Sequence, residues 1–318
     1  MRVLVTGAAG FIGSHTCQAL LARGDSVVGI DNFDPFYDPA IKRRNLSEVQ
    51  ASGGDRFAFL QGDLLDQADV DRAFDLGPFD VVVHLAAKAG VRPSIQDPIA
   101  YVRANLETTT RLLETCLRRG PKRVVFASSS SVYGADSDAP FGEQAHADRP
   151  VSPYAATKRA GELLAHTYAH LHGFDVTCLR FFTVYGPRQR PEMAIHKFAS
   201  ALCKGEPIPV FGDGGSSRDY TYVDDILVGV LGAIDRPQGF AVFNLGGDRE
   251  TKLLDLIRML GQALSVQPNL VHLPEAAGDV PRTSADLTRA TAGLGYRPKV
   301  SIEDGLARFA AWYRISQA

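Results

Sequence analysis

The chain predicts an α/β fold, a doubly wound parallel sheet with a smaller C-terminal lobe. Three observations carry that expectation. Short apolar runs rich in valine recur with helix-like stretches between them. The first of these runs turns on glycines straight into a helix. The regular alternation ends near Thr183, beyond which prolines at 187, 191, 207 and 209 break the pattern.

Composition narrows the class. At 318 residues the length suits about two domains, and 45% hydrophobic with 22% charged residues is ordinary for a globular protein. A chain of this size buries roughly 75% of its unfolded surface, so stability calls for no disulfide and no metal. Cys17, Cys116, Cys178 and Cys203 contain no C-x-x-C pair, and the first three sit in apolar patterns as small buried hydrophobes. A net charge of −2 argues against a nucleic-acid surface. No run reaches the ~18 apolar residues of a membrane span. A core strand at the start with no apolar leader points to a cytoplasmic protein with small-molecule partners.

Taken in order, residues 2–6 form an apolar strand of the kind buried on both faces. Gly7, Gly10 and Gly13 follow, then a helix over 14–23 closed by Gly24. A strand turning on glycines into a helix gathers bare backbone N–H groups at one helix N-terminus, a site for a pyrophosphate. The spacing is G-x-x-G-x-x-G, not the commoner G-x-G-x-x-G. Residues 26–30 make the second strand, ending in Asp31-Asn32. Asp31 follows Gly7 by roughly the ~20 residues that place a carboxylate on the adenosine ribose hydroxyls. Its negative charge repels a 2′-phosphate, which favours NAD over NADP.

Residues 33–39 read as a loop before a helix around 40–50, and 57–60 as the third strand, followed by Asp63 beside the adenine position. Residues 80–85 (DVVVHL) are a fourth buried strand in which His84 reads as a satisfied core histidine, and 86–90 as a small-residue loop passing over a cofactor. A long amphipathic helix spans 97–119 and carries Asn105. The fifth strand, 123–127, runs into the serines 128–131; 135–151 is a polar loop, 154–172 a helix and 176–182 the sixth strand. Residues 212–222 read as a glycine-rich loop. A helix at 223–234, a strand at 241–245 and a helix at 252–264 are placed back on the sheet, and 271–282 with a final helix near 302–312 complete the lobe. The expected division is 1–182 as the nucleotide-binding domain with a return segment about 223–262, and 183–222 with 263–318 as the second lobe. Ligands then belong outside the carboxyl ends of the strands.

Tyr154 and Lys158 stand four apart on one helix and share a face. A free tyrosine titrates near ~10, and bringing it to ~7 takes about 4 kcal/mol of differential stabilisation. Lys158 and a cationic nicotinamide ring together favour the phenolate, and Ser129 reaches the same substrate hydroxyl. Downstream of a glycine turn and a serine-rich strand end, Y-x-x-x-K is a specific signal.

With these residues in place, the chain resembles the extended short-chain dehydrogenase/reductase family, with its Rossmann sheet, and within it the nucleotide-sugar 4-epimerases. The matching motifs are TGAAGFIG at 6–13, ASSSSVYG at 127–134, SPYAATK at 152–158, RFFTVYGPRQRPEM at 180–193 and SRDYTYVDD at 217–225. The resemblance implies tightly held NAD, an active Ser129–Tyr154–Lys158 triad, and a UDP-sugar under the smaller lobe. It implies cofactor contacts for Phe11, Ile12, Asp31, Asn32, Asp63, Leu64, Lys88, Asn105 and Phe181, besides the glycines and Tyr154 with Lys158. It implies substrate contacts for Arg92, Ser129, Ser130, Thr183, Arg190, Met193, Arg218 and Asp279, the last two on the nucleotide. It further implies a homodimer built on the helices at 97–119 and 154–172.

Related dehydratases place an Asp-Glu pair before Val-Tyr-Gly and related decarboxylases a Glu; Ser130 and Ser131 stand there here. Among epimerases the 180–193 motif resembles the UDP-glucuronate 4-epimerase subgroup, with Thr183, Arg190 and Arg92 near the carbon 5 substituent. An arginine fork suits a carboxylate. That subgroup often has Trp-Gly where this chain has Arg188-Gln189, so UDP-glucose/UDP-galactose (or N-acetyl) epimerisation is the alternative. An NAD-sensing binding protein of the same fold is expected to have lost Tyr154 or Lys158, and both are present.

Overall fold

In a computed structural model, which describes residues 1–135, 139–274 and 282–317, the sheet assembles from strands β1 (Arg2–Thr6), β2 (Ser26–Asp31), β3 (Phe57–Gln61), β4 (Val81–His84), β5 (Arg123–Ser129) and β6 (Asp175–Phe181). A later strand joins their edge. The chain first passes β7 (Thr183–Tyr185), β8 (Ile208–Phe211) and β9 (Ser217–Tyr222), then returns as β10 (Phe240–Leu245). The seven-stranded order is β10-β6-β5-β4-β1-β2-β3, every pair parallel. From β1 the chain winds outward through β2 and β3, then crosses back to β4 on the other side of β1. That reversal opens a crevice at the carboxyl ends of β1 and β4, the place where such sheets bind ligands.

Side chains alternate across the sheet. Val3, Val5, Val81 and Val83 face one core, and Leu4, Val82, Val124 and Phe126 face the other. Helices α1 (Phe11–Arg23) and α2 (Pro39–Gly53) follow β1 and β2, and α3 (Gln67–Asp75) follows β3. The sequence reading passed over α3, whose start is set by Asp66 accepting from the Ala68 amide. The short α4 (Val91–Gln96) precedes the expected helix over 97–119, which runs unbroken from α5 (Pro98–Val102) through a π turn at Arg103–Glu107 into α6 (Thr108–Arg119). Helix α7 (Pro153–His172) packs beside it.

The lobe forms around α8 (Ala194–Lys204), α9 (Val223–Asp235), α10 (Leu253–Leu264), α11 (Thr288–Leu294) and α12 (Ile302–Gln317), with α8 another helix the pattern did not announce. Residues 217–222, expected as loop, are strand β9, parallel to β7 and antiparallel to β11 (Glu250–Lys252). The reason for the miss is polar burial. Asp219 and Thr221 point inward with no exposure, and Asp219 accepts from the Ala285 amide at 3.1 Å and the Thr221 hydroxyl at 3.2 Å. Strand β12 (Leu270–Leu273) pairs with β8 apart from the main sheet. Within the stretch expected to return to the sheet, β10 joins its edge and α9 packs on α1, β5 and β6, whereas α10 packs on α8 and α12. Among the described residues no helix is long and apolar enough to cross a membrane.

Candidate active site

Between β1 and α1 the backbone leaves no room for side chains. Gly7 has φ +71°, and a Cβ on Gly13 would stand 2.0 Å from the Gly7 carbonyl oxygen. Gly10 is the N-cap of α1 and has no side chain to cap its first amides. Those N–H groups lack intrahelical partners and face the crevice, so the turn fits a pyrophosphate.

At the next strand end Asp31 is buried. Its Oδ2 accepts from the Ala9 amide at 3.1 Å and its Oδ1 from Phe33 at 2.8 Å. Burial raises its pKa, opposed by the nearby Lys42 cation. Asn32 Nδ2 donates to Asp63 Oδ2 at 3.2 Å, tying the ends of β2 and β3 together beside Leu64. Lys88 Nζ pairs with Asp34 at 3.0 Å.

Asn105 sits beneath the 86–90 loop. It is 3% exposed and does not line the cleft. Its Oδ1 accepts from the Lys88 amide at 2.8 Å, and its Nδ2 donates to the Lys88 carbonyl at 2.9 Å and Thr157 Oγ1 at 3.0 Å. It clamps the 86–90 loop onto α7, acting through Lys88. His84 is a satisfied core residue, with Thr6 Oγ1 at 2.8 Å and Thr109 Oγ1 at 3.0 Å, and burial depresses its pKa to about 3.

Ser129 ends β5, and Tyr154 lies in the first turn of α7, where the Ser152 hydroxyl accepts from the Ala155 amide at 3.1 Å and Pro153 opens the helix. Burial raises the Tyr154 pKa, and a hydrogen bond with Ser129 and the charge of Arg190 oppose it. Lys158 Nζ donates to the Ala127 carbonyl at 2.7 Å, and burial lowers its pKa to about 8 against the pull of Glu162. Lys158 thus keeps its proton at neutral pH while held against the strand. The Tyr101 ring meets Tyr154 edge-on at 6.2 Å.

Behind the triad stands a network the sequence reading missed. Glu162, with no exposure, accepts from Ser128 Oγ at 2.5 Å and from Arg180 Nε and Nη2 at 2.8 Å each. Its spacing of four beyond Lys158 is the signal that was available: it puts the carboxylate on the same helix face.

The sugar end is built from later chain. Thr183, Arg190, Met193 and Arg218 line one cleft of roughly 1110 Å³ with Arg92, Ser129, Ser130, Tyr154, Lys158 and Phe181. That cleft runs on to Gly7, Gly10, Phe11, Ile12, Gly13, Asp31, Asn32, Asp63, Leu64 and Lys88. Arg92 lies over the Phe211 ring at 5.4 Å, and Arg218 Nη1 donates to the Ser217 carbonyl at 2.9 Å. Arg190 Nη1 meets Glu192 Oε1 at 2.6 Å. Asp279 lies outside the described residues.

Arg188 and Gln189 point elsewhere. Arg188 donates to Ser14 Oγ at 3.2 Å and Gln18 Oε1 at 2.8 Å and pairs with Glu48, fastening the lobe to α1 and α2. Gln189 Nε2 donates to the Val184 carbonyl at 3.1 Å. The departure from Trp-Gly therefore falls outside the cleft.

The chain is similar to known proteins along nearly its whole length. The chain is 44% identical to UDP-glucuronate 4-epimerase 3 of Arabidopsis thaliana, over 98% of this chain and 76% of that one. It is 41% identical to a probable UDP-glucuronate 4-epimerase of Rhizobium meliloti, over 98% and 97%. A solved UDP-glucuronic acid 4-epimerase from Bacillus cereus, in complex with UDP-glucuronic acid and NAD, superposes with a TM-score of 0.92 at 38% identity, over 99% of this chain and 100% of that one. Residues 3–246 match the NAD dependent epimerase/dehydratase family. With the glycine turn, the Ser129–Tyr154–Lys158 cluster and similarity along nearly the whole length, the chain belongs to that family.

Proposed function

We propose that the protein is an NAD-dependent isomerase that epimerises UDP-glucuronate to UDP-galacturonate at carbon 4. One observation carries the reading: a single cleft joins the glycine turn, Ser129 with Tyr154, and Arg190 with Thr183. Similarity to named UDP-glucuronate 4-epimerases over nearly the full chain supports it.

The amides at the start of α1 would hold the pyrophosphate of NAD, and Asp31 would accept from a ribose hydroxyl. NAD, when bound, supplies the acceptor and later the donor of the carbon 4 hydride. Tyr154 takes the proton of the sugar 4-hydroxyl, and Ser129 donates to the oxygen left behind. Lys158, charged at neutral pH, adds positive potential at the Ala127 strand end, and Arg190 favours the Tyr154 phenolate. With the flat 4-keto sugar turned over, Tyr154 would return the proton to the carbon 4 oxygen. A 4-keto uronate is a β-keto acid, which loses carbon dioxide when its carboxylate bond aligns with the ketone π system. Thr183 and Arg190 hold the carboxylate out of that alignment. Epimerisation adds no acid to the site, consistent with Ser130 and Ser131 before Val132.

The protein works in the cytoplasm as a homodimer. Ile95, Ile99, Val102, Leu163 and Leu171 are exposed on α4, α5 and α7, an apolar surface suited to a helix-on-helix contact. Light scattering at the monomer mass of 34.3 kDa would refute the dimer. The activity is tested by measuring kcat/KM for UDP-glucuronate and UDP-glucose on one preparation. Higher efficiency on UDP-glucose refutes the glucuronate assignment, and net NADH accumulation in step with product refutes epimerisation.

A further inference from the structure

Glu192 places a carboxylate inside the cleft assigned above to an anionic sugar. Its Oε1 stands 2.6 Å from Arg190 Nη1, yet both carboxylate oxygens are buried without a well-aligned hydrogen bond. The contact is charge on charge, lacking the parallel two-point fit that makes an arginine–carboxylate pair strong. The two side chains are 20% and 30% exposed, so an entering anion can reach the guanidinium. On its other side Arg190 rests over the Phe36 ring at 5.9 Å, and Phe36 also carries Lys88 at 5.6 Å. The guanidinium thus has an apolar seat that stays with it when the carboxylate partner changes.

We propose that Glu192 is a specificity-determining residue, an internal carboxylate that occupies Arg190 until the carbon 5 carboxylate of a UDP-uronate displaces it. The inference rests on the glucuronate reading above and deepens it. A neutral hexose has no group to exchange for Glu192 and leaves Arg190 paired. A uronate exchanges a poorly aligned partner for one free to take the fork geometry, and meets the Glu192 charge as a competitor. Glu192 therefore lowers uronate affinity while keeping Arg190 from standing uncompensated in the free enzyme.

The test uses the whole enzyme with its bound NAD. KM for UDP-glucuronate and UDP-glucose is measured for the parent, Glu192→Gln, Glu192→Asp, Arg190→Ala and the Glu192→Gln/Arg190→Ala double variant. Removing one competing charge near a partly exposed pair is worth about fivefold in affinity. Glu192→Gln is expected to lower KM for UDP-glucuronate by about that factor, and at least three times more than for UDP-glucose. Glu192→Asp falls in between, and the gain disappears in the Arg190→Ala background. An unchanged or raised KM for UDP-glucuronate in Glu192→Gln overturns the proposal, as does an equal change on both sugars or a gain that persists without Arg190. Should Glu192→Gln fail to fold, Glu192→Ala is read the same way, and failure of both shows a purely structural residue and overturns the proposal. If the parent does not epimerise UDP-glucuronate at all, the functional reading fails; if it does and the variants behave alike, only the Glu192 role fails.

Discussion

The two ends of the cleft are made from different materials. At the cofactor end the main chain does the holding: Gly7 at φ +71°, bare amides at the start of α1, and Asp31 fixed by the Ala9 and Phe33 amides. At the sugar end side chains do it: Arg92 over Phe211, Arg218 on β9, and Arg190 between Glu192 and Phe36. The difference teaches where binding and folding are coupled. A contact made by backbone cannot be lost without deforming the sheet-to-helix turn, whereas a charged side chain on a loop is removed at small cost to the fold.

The largest expected effect falls on the seam between the ends. Tyr154→Phe removes the proton acceptor alone and lowers kcat by about 10²–10⁴-fold, with NAD content and melting temperature kept. Parent-like turnover in that variant would break the assigned mechanism.

Lys158 comes next, read through pH. Its ammonium titrates at about 8 in the folded chain against 10.5 when free, so burying the charge opposes folding by on the order of 3 kcal/mol at neutral pH. Between those values the unfolded chain holds the proton and the folded chain does not, so this cost fades as pH rises from 8 toward 10.5. Lys158→Met is expected to be more stable than the parent at pH 7, with the gap closing by pH 10 in matched thermal melts. A gap constant across that range would show that Lys158 titrates normally.

Gly13→Ala tests the coupling at the cofactor end. Its Cβ would sit 2.0 Å from the Gly7 carbonyl oxygen, and such overpacking costs about 1–3 kcal/mol. Loss of bound NAD and a lower melting temperature should arrive together. Either without the other breaks the comparison.

Arg190→Ala is the smallest and most selective change. It should lower kcat/KM for UDP-glucuronate about tenfold, or ~1.4 kcal/mol, and by less for UDP-glucose, which loses only the charge beside Tyr154, with an unaltered melting temperature. A UDP-pentose by-product would further mark loss of carboxylate control. A large fall in stability would show that the sugar end, too, is part of the folding core.

Local patterns decided much of this protein. Short apolar runs marked the six consecutive strands and the returning 240–245 segment. Glycine spacing set the pyrophosphate turn, and the four-residue step from Tyr154 to Lys158 set the catalytic face. These signals are legible because strand burial, glycine turns and helix periodicity each depend on neighbours a few residues away. Tertiary structure decided the rest. Asp219 and Thr221 look like loop residues until contacts from 283–285 and 247 make β9 a buried strand. Nothing local shows that Asn105, within the π turn, holds the Lys88 backbone. Arg188 and Arg190 stand two apart and look alike, yet one fastens the lobe to α1 and the other enters the cleft. That Arg190 adds its charge beside Tyr154 was also beyond the sequence, because its segment is remote in the chain. Such polar choices are settled by partners distant in sequence, and only folding brings those partners together.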